Sequence, residues 1–511
     1  MYSPAHPEAG LDPARSARRI ARGERIHVVG IAGAGASAAA LHALWAGGDP
    51  SGCDPGGPSP YTAAVEAAAI PIAWQHDPAH VRRSPAPDRL AVTKALTAVA
   101  PDHPELAAAR EAGIPVEPWQ QVIADAAAGR TLVGVAGTHG KSTTAGWLVH
   151  VLTGAGLDPS AFVGALLPTE LSGELPATAR RGQGSAFVVE ADEYAGNFDA
   201  YRPDHAVLTN LEWDHPDVFA NRDAVVAAVG RWLRRAAEEG RRPTLYANVA
   251  DAGARDLVGR LQRGWQGRII ATALVDGDDW TSEDSDSLPL LRGRIVATDP
   301  DTTTMDVTGS ALTGQVVDFR ARLRLVGRHN AANALGVAAA ALGLGVPSQV
   351  VGTLLASFGG VGRRLERKGE AAGVVVFDDY GHHPTAIRET LAAVRQRAPD
   401  RRVWAVYEPL TFHRTAALLD DFAAVLATAD AVAIADIWAG RDPDRTVASA
   451  GGLAAAVAAR NPSIPVAAPG SVEDTARWLA GEVASGDAVL VMGGGRSYVI
   501  GERLLEILAD R

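Results

Sequence analysis

A short apolar strand pattern, Arg130-Thr-Leu-Val-Gly-Val-Ala136, runs directly into the glycine-rich segment Gly134-Val-Ala-Gly-Thr-His-Gly-Lys-Ser-Thr-Thr-Ala145. No other feature restricts the fold so much. A strand that feeds glycines and then a helix gathers backbone N–H groups and a helix N-terminus around one point, and that point attracts phosphate. It also commits the surrounding chain to a parallel α/β sheet, with ligands at the carboxyl edge of the strands. Lys141 is placed to reach the β and γ phosphates, and the Ser142 hydroxyl to hold Mg²⁺. The lysine stands out because the chain has only Lys94, Lys141 and Lys368. From Gly134 to Gly140 the loop is one residue longer than the G-x-x-x-x-G-K-S spacing.

Similar strand, turn and helix rhythms occur on both sides of this segment. Ahead of it, Arg25-Ile-His-Val-Val-Gly-Ile31 opens a strand, with an Ala-rich helix from Ser37 to Trp45, a helix near Pro104 to Ala112 and a strand at Ile114 to Glu117. Behind it, strands are expected at Ala186 to Glu190 and Ala206 to Thr209, an acidic solvated loop from Asp276 to Asp286, antiparallel strands within Thr303 to Val326, and a helix from Asn330 to about Leu342. A third block offers Val374 to Phe377, Val403 to Tyr407, Ala431 to Ala435 and Ala488 to Met492 as strands separated by helical patterns. The pattern predicts an α/β protein of three domains, each with a mainly parallel sheet: Rossmann-like at the N-terminus, P-loop ATPase-like in the centre, and Rossmann-like at the C-terminus. The expected divisions are a loose arm over 1–23 and domains over 24–128, 129–357 and 358–511, with hinges near Gly129 and Gly359.

Several polar clusters sit at expected strand exits. Glu190-Ala-Asp-Glu193 places carboxylates on the same sheet edge as the phosphate loop, where one can hold Mg²⁺. Thr209-Asn-Leu-Glu-Trp-Asp-His215 offers Glu212, Asp214 and His215 as metal ligands or proton carriers. Gly30-Ile-Ala-Gly33-Ala34-Gly35 opens a helix after a strand, and Asp54 follows later; the glycine spacing departs from the dinucleotide fingerprint and better suits some diphosphate. Asp378-Asp379-Tyr380-Gly-His382-His-Pro384 is too polar for a plain strand exit, and Arg363, Arg364 and Arg414 could bind carboxylates or phosphates.

Composition narrows the class. The chain has 511 residues, 47% of them hydrophobic, which suits a globular protein of several domains. A formal net charge of −11 argues against nucleic-acid and membrane-surface partners. Cys53 is the only cysteine, so no intrachain disulfide can form, and a reducing, cytoplasmic compartment is expected. The start of the chain carries no apolar signal segment, and the run Ala334 to Val346 is shorter than the roughly 20 residues of a spanning helix.

Taken together, these segments resemble the Mur ligase family of ATP-dependent amide-forming enzymes in peptidoglycan precursor synthesis. The likeness covers nearly the whole chain after the arm. The family loop G-x-x-G-T-x-G-K-[ST]-[ST] is matched from Gly134 to Thr143, which accounts for the extra residue, and His329-Asn330-Ala-Ala-Asn333 matches its adenine-side helix start. The resemblance implies ATP at Gly137, Thr138, His139, Gly140, Lys141, Ser142, Thr143, Asn330, Asn333, Arg364 and Asp379. It implies Mg²⁺ at Ser142, Glu190 and His215, with Lys141, Glu190 and His215 as the catalytic groups. Within the family the likeness is nearest to the branch that joins L-alanine to UDP-N-acetylmuramate. This implies the UDP-sugar at Gly30, Gly33, Ala34, Gly35 and Asp54, and the amino acid at Tyr380, His382 and Arg414. Expected partners are thus small molecules, with no nucleic acid or membrane, for a monomer or homodimer.

Leu410, Phe412 and Arg496 depart from that branch, and Tyr407-Glu-Pro409 leans toward the relative that attaches a recycled peptide; a different added amino acid or peptide is the alternative. An NAD-dependent dehydrogenase would use only the first block, and a non-catalytic binder would not need the set Lys141, Ser142, Glu190 and His215.

Overall fold

The computed structural model describes residues 11–276, 288–309, 317–440, 442 and 444–511. Apart from Asp276, the acidic stretch expected as a loop lies outside the described residues. Among the described residues, twenty-one strands form three sheets. The first holds β1 (Arg25–Val29), β2 (Asp49–Cys53), β3 (Ile72–Ala73), β4 (Arg89–Val92) and β5 (Val116–Pro118), in the order β3-β2-β1-β4-β5. Every pairing in it is parallel.

The second sheet holds β6 (Thr131–Ala136), β7 (Ser160–Leu167), β8 (Ala177–Arg180), β9 (Ala186–Glu190) and β10 (His205–Leu208). It continues through β11 (Thr244–Asn248), β12 (Arg268–Leu274), β13 (Leu290–Thr298), β14 (Thr303–Gly309) and β15 (Val317–Leu323). The order is β15-β14-β13-β12-β11-β10-β6-β9-β7-β8, so β6 lies between β10 and β9. Its centre is parallel, while β13, β14 and β15 run antiparallel, as the alternating pattern predicts for the last two.

The third sheet holds β16 (Glu366–Ala371), β17 (Val374–Asp379), β18 (Arg402–Glu408), β19 (Ala431–Ala435), β20 (Val466–Gly470) and β21 (Asp487–Gly493), ordered β16-β17-β21-β18-β19-β20. Only the edge strand β16 is antiparallel to its neighbour. Three mainly parallel sheets, flanked by helices, match the fold class read from the sequence. Among the described residues no helix is long and apolar enough to cross a membrane.

The central strands are buried on both faces, as parallel strands covered by helices must be. The first unit docks on the second through the helix Ala34–Trp45. His42 Nε2 lies 2.9 Å from the Ala161 carbonyl of β7, and Thr178 of β8 donates to the Ala34 carbonyl at 2.7 Å. Burial keeps the His42 imidazole down at about 4, so its Nε2–H donates from a neutral ring. Gly35 is required at this helix start because a Cβ would meet the Trp119 ring at 2.1 Å.

The expected loose arm is corrected by the structure over residues 11–23. The Asp12 amide pairs with the Val116 carbonyl at 2.8 Å, and Arg15 makes ion pairs with Glu117 at 2.7 Å and Asp125 at 2.8 Å. Those carboxylates also surround Arg89, whose side chain is 2% exposed and lies 3.0 Å from Glu24, 2.7 Å from Glu117 and 2.6 Å from Asp125. The acids need more than one guanidinium, and Arg15 with Arg18 supplies the rest, which is why the arm is tied down. Removing one partner of a buried charge set leaves the others uncompensated. Arg89→Ala is therefore expected to cost about 3–5 kcal/mol in denaturant unfolding of the first unit. Arg15→Ala is expected to cost less and to open the arm to limited proteolysis.

Candidate active site

The three sheets turn toward one cavity of about 660 Å³, lined by residues of all three units. The phosphate loop forms part of its wall. The helix Lys141–Gly154 starts at Gly140 without a side-chain cap, so its first N–H groups remain available to an anion. Gly137 adopts φ +137°, and a Cβ there would meet Thr209 Oγ1 at 2.1 Å. That approach lets Thr209 donate to the His139 carbonyl at 2.6 Å, while the Asn210 side chain receives the His139 amide at 2.8 Å.

Lys141 Nζ donates to Glu193 at 2.9 Å and to the Gly137 carbonyl at 2.7 Å, with Asp192 at 3.6 Å. Burial alone would favour a neutral amine, but Glu193 and Asp192 hold its pKa above the ordinary lysine value, so it stays charged. Ser142 Oγ donates to Glu190 Oε1 at 3.1 Å, and Glu190 Oε2 receives the Gly164 amide at 2.7 Å. Arg364 from the third unit donates to Ser142 Oγ at 2.9 Å, with its guanidinium 4.9 Å from the Tyr380 ring centre.

The β10 exit forms another wall. His215 has φ +55°, a left-handed conformation uncommon for a side chain of this size, and its ring lies 4.9 Å from Tyr194. Its ligand atoms cluster with those of Asp192 and Glu193 within 4.8 Å. Arg414, 3% exposed, pairs with Asp214 at 2.8 Å and reaches His215 Nδ1 at 3.0 Å. Burial would raise the Asp214 carboxyl, but the charges of His215 and Arg414 hold it well below the usual range. Burial, aided by Arg414, pushes His382 well below the ordinary histidine value and keeps it neutral. Asp379 accepts the Leu365 and Gly381 amides at 2.8 and 2.7 Å.

Family models described as "Mur ligase family, catalytic domain", "Mur ligase middle domain" and "Mur ligase, glutamate ligase domain" match residues 25–131, 135–341 and 363–495. The UDP-N-acetylmuramate–L-alanine ligase of Frankia casuarinae is 37% identical over an alignment of 519 positions, covering 95% of this chain and 98% of that protein. The chain belongs to the Mur ligase family. Among solved structures, a UDP-N-acetylmuramate–alanine ligase of Thermotoga maritima shares the fold at TM-score 0.73 and 23% identity, covering 94% of this chain and 98% of that one. A murein peptide ligase of Psychrobacter arcticus follows at TM-score 0.70 and 27% identity, covering 96% and 99%.

Most of the expected nucleotide residues line the cavity of this Mur ligase, including Thr138 to Thr143, Asn330, Asn333, Arg364 and Asp379. Asn333 lies against the loop, since a Cβ on Gly140 would meet it at 2.9 Å. The expected metal trio is divided: Ser142 and Glu190 pair with each other, whereas His215 joins Asp192 and Glu193. Tyr380, His382 and Arg414 share the cavity wall, and so does Leu410. Of the expected UDP-sugar residues only Gly35 lines this cavity. Gly30, Gly33 and Ala34 lie at the β1 turn, and Asp54 holds that turn by accepting the Ala32 amide at 3.1 Å. Arg363 is not free for a ligand, because it binds Asp378 at 3.0 Å and the Gly493 carbonyl at 2.8 Å. Phe412 begins a short helix after Thr411, whose φ is +62°, and Arg496 pairs at the surface with Glu473 at 2.8 Å.

Thr209, Asn210, Asp192 and the Asp214–Arg414 pair complete the site. For Thr209, Asn210 and Asp192 the sequence signal is position just after β9 and β10; Asp214 and Arg414 are marked singly in the sequence, and their pairing across units has no signal. Glu212 is the best pH reporter here. Burial would raise its carboxyl, yet His139, Thr385 and His383 hold it down at about 2 from an ordinary 4.5. A folded pKa below the unfolded one gives stability that is present above about 4.5 and is lost as pH falls toward 2. The stability gap between wild type and Glu212→Gln, read from thermal melts, is expected to narrow by about 1–2 kcal/mol from roughly pH 6 to roughly pH 3.

Proposed function

We propose that this protein joins L-alanine to the carboxylate of UDP-N-acetylmuramate at the expense of ATP, through an acyl phosphate. The carrying observation is the shared cavity, which brings Lys141, Ser142 and Glu190 of the central unit against Arg364, His382 and Arg414 of the third. A carboxylate is a poor electrophile, so an amide-forming enzyme must first give it a leaving group. A carboxylate oxygen attacks the γ-phosphorus, the bond to ADP breaks, and the α-amine then displaces phosphate from the acyl carbon. Phosphoryl transfer of this kind depends mostly on positioning and neutralised charge.

Lys141 stays protonated and held by Glu193, so it meets the γ-phosphate as a pre-aimed cation. The loop amides from Gly137 to Ser142 would bind the phosphates, with Asn330 and Asn333, which also line the cavity, toward the adenine. The donors fit magnesium: the Ser142 hydroxyl and Glu190 carboxylate are hard oxygen ligands 3.1 Å apart, with His215 as the further candidate. Bound there, magnesium would supply counter-charge to the phosphates. Arg414 and His382, with Tyr380, would receive the amino acid, Arg414 being kept rigid by Asp214. The UDP moiety is assigned to the turn from Gly30 to Gly35 and to Asp54. Closure about the linkers near Gly129 and Gly359 would keep water from the acyl phosphate.

Phosphate release with UDP-N-acetylmuramate and ATP, scanned over L-alanine, L-serine, glycine and a muramyl tripeptide, tests the reading. L-alanine is expected to give the highest turnover per KM; release with the tripeptide alone would reassign the enzyme to peptide recycling. Lys141→Ala is expected to lower kcat by about 10²–10³-fold with an unchanged circular dichroism spectrum. Near-normal turnover in that variant would remove the loop from the mechanism.

A further inference from the structure

On the flank of the first sheet, away from the cavity, four side chains with metal-ligand chemistry converge. They are His27 on β1, Cys53 on β2, His80 on the helix Ala79–Arg82 and Glu105 on the helix Pro104–Glu111. One ligand atom from each lies within 4.8 Å of all the others. Glu105 is wholly buried, 3.4 Å from His27 Nε2, 3.2 Å from His80 Nδ1 and 3.3 Å from Cys53 Sγ. His76 Nδ1 flanks the cluster at 3.2 Å from Cys53 Sγ.

A self-satisfied hydrogen-bond network is the simplest alternative, and two observations argue against it. First, His27 is 2% exposed and its Nε2, which faces the cluster, makes no well-formed hydrogen bond, its nearest acceptor being Glu105 at 3.4 Å. Its Nδ1 is 3.0 Å from Ser51 Oγ, which also receives Arg83 at 3.0 Å. In the tautomer whose Nδ1–H donates to Ser51, the Nε2 lone pair points at the cluster, as a second hydrogen bond usually orients a ligating imidazole. Second, Glu105 is fully buried and, among the described residues, its ion-pair partners are the histidines His27, His76 and His80, so no lysine or arginine stands against this carboxylate, which is an expensive arrangement.

We propose that His27, Cys53, His80 and Glu105 form a structural site for a divalent transition metal, with zinc the ion whose preferences they fit. Imidazole, thiolate and carboxylate in a compact group of four match tetrahedral zinc, and the thiolate disfavours magnesium and calcium. On binding, Cys53 releases its thiol proton to solvent and the metal takes its place. The ion would clamp β1 and β2 to both helices. Because the Cys53 carbonyl accepts the Gly30 and Ile31 amides at 2.8 and 3.2 Å, the clamp also stiffens the turn before the helix Ala34–Trp45. The site stands independently of the ligase reading.

Cobalt titration of the full chain tests it, because Cys53 is the only cysteine and any thiolate-to-cobalt charge-transfer band reports that residue alone. One equivalent of cobalt is expected to produce the near-ultraviolet band, and zinc to abolish it while magnesium does not. Cys53→Ser is expected to lose the band, and Ser51→Ala to weaken binding by roughly 10- to 100-fold. No band in the wild-type protein means a hydrogen-bonded cluster only and overturns the proposal. So does a band of wild-type affinity in both His27→Gln and Glu105→Gln.

Discussion

A largely buried ammonium needs a partner, and the 2.9 Å contact between Lys141 and Glu193 supplies it at the edge of the central sheet. Much of the surrounding geometry serves this pair. β9 must end where its exit can present acids to the loop, and β6 must lie beside it, as the sheet order has it. The loop must curl tightly enough for the Gly137 carbonyl to meet the same ammonium at 2.7 Å, which the positive φ of Gly137 permits. The pair also has a chemical consequence. Glu190, Asp192 and Glu193 all bear on Lys141, so a phosphate brought to that ammonium would meet carboxylate charge that further positive charge would offset. The ligand chemistry of Ser142 and Glu190 is suited to provide that charge.

Pairing of buried charge also organises the contact between units. Asp214 follows the central sheet and Arg414 belongs to the third unit, yet each is nearly inaccessible and each neutralises the other at 2.8 Å. Separating the units would strand both charges, so this contact favours a docked arrangement over a splayed one. Arg364 acts in the same sense, stacking by Tyr380 while its guanidinium crosses to Ser142. A residue expected to receive substrate is thereby also part of the contact between the second and third units.

The sequence reveals those parts of the fold whose physics is local. Strands covered on both faces read as apolar runs, and Ala186–Glu190 and Ala431–Ala435 coincide with the segments expected. β2, Asp49-Pro-Ser-Gly-Cys53, carries no such run; its strand geometry comes from pairing with β1 and β3. The edge strand Glu366–Ala371 is charged for the same reason that it is hard to see, since an edge needs no apolar face and benefits from charge. β7, Ser160-Ala-Phe-Val-Gly-Ala-Leu-Leu167, has apolar character that the pattern reading does not pick out beside the preceding helix. The site divides similarly. Lys141, Ser142 and Glu190 are legible because the loop and the strand exit are local motifs. The Arg15–Asp125, Arg414–Asp214 and Arg364–Ser142 contacts join distant segments that carry no mark of one another.

His215 shows how local strain and distant pairing combine. A histidine at φ +55° is unfavourable unless its surroundings overdetermine it. Here Tyr194 packs on one side, Arg414 approaches Nδ1 at 3.0 Å, and the Asp214 side chain receives the His215 amide at 2.6 Å. The guanidinium that approaches Nδ1 also pairs with Asp214 at 2.8 Å, so the strained His215 backbone, the setting of its ring and the docking of the third unit all rest on one arginine.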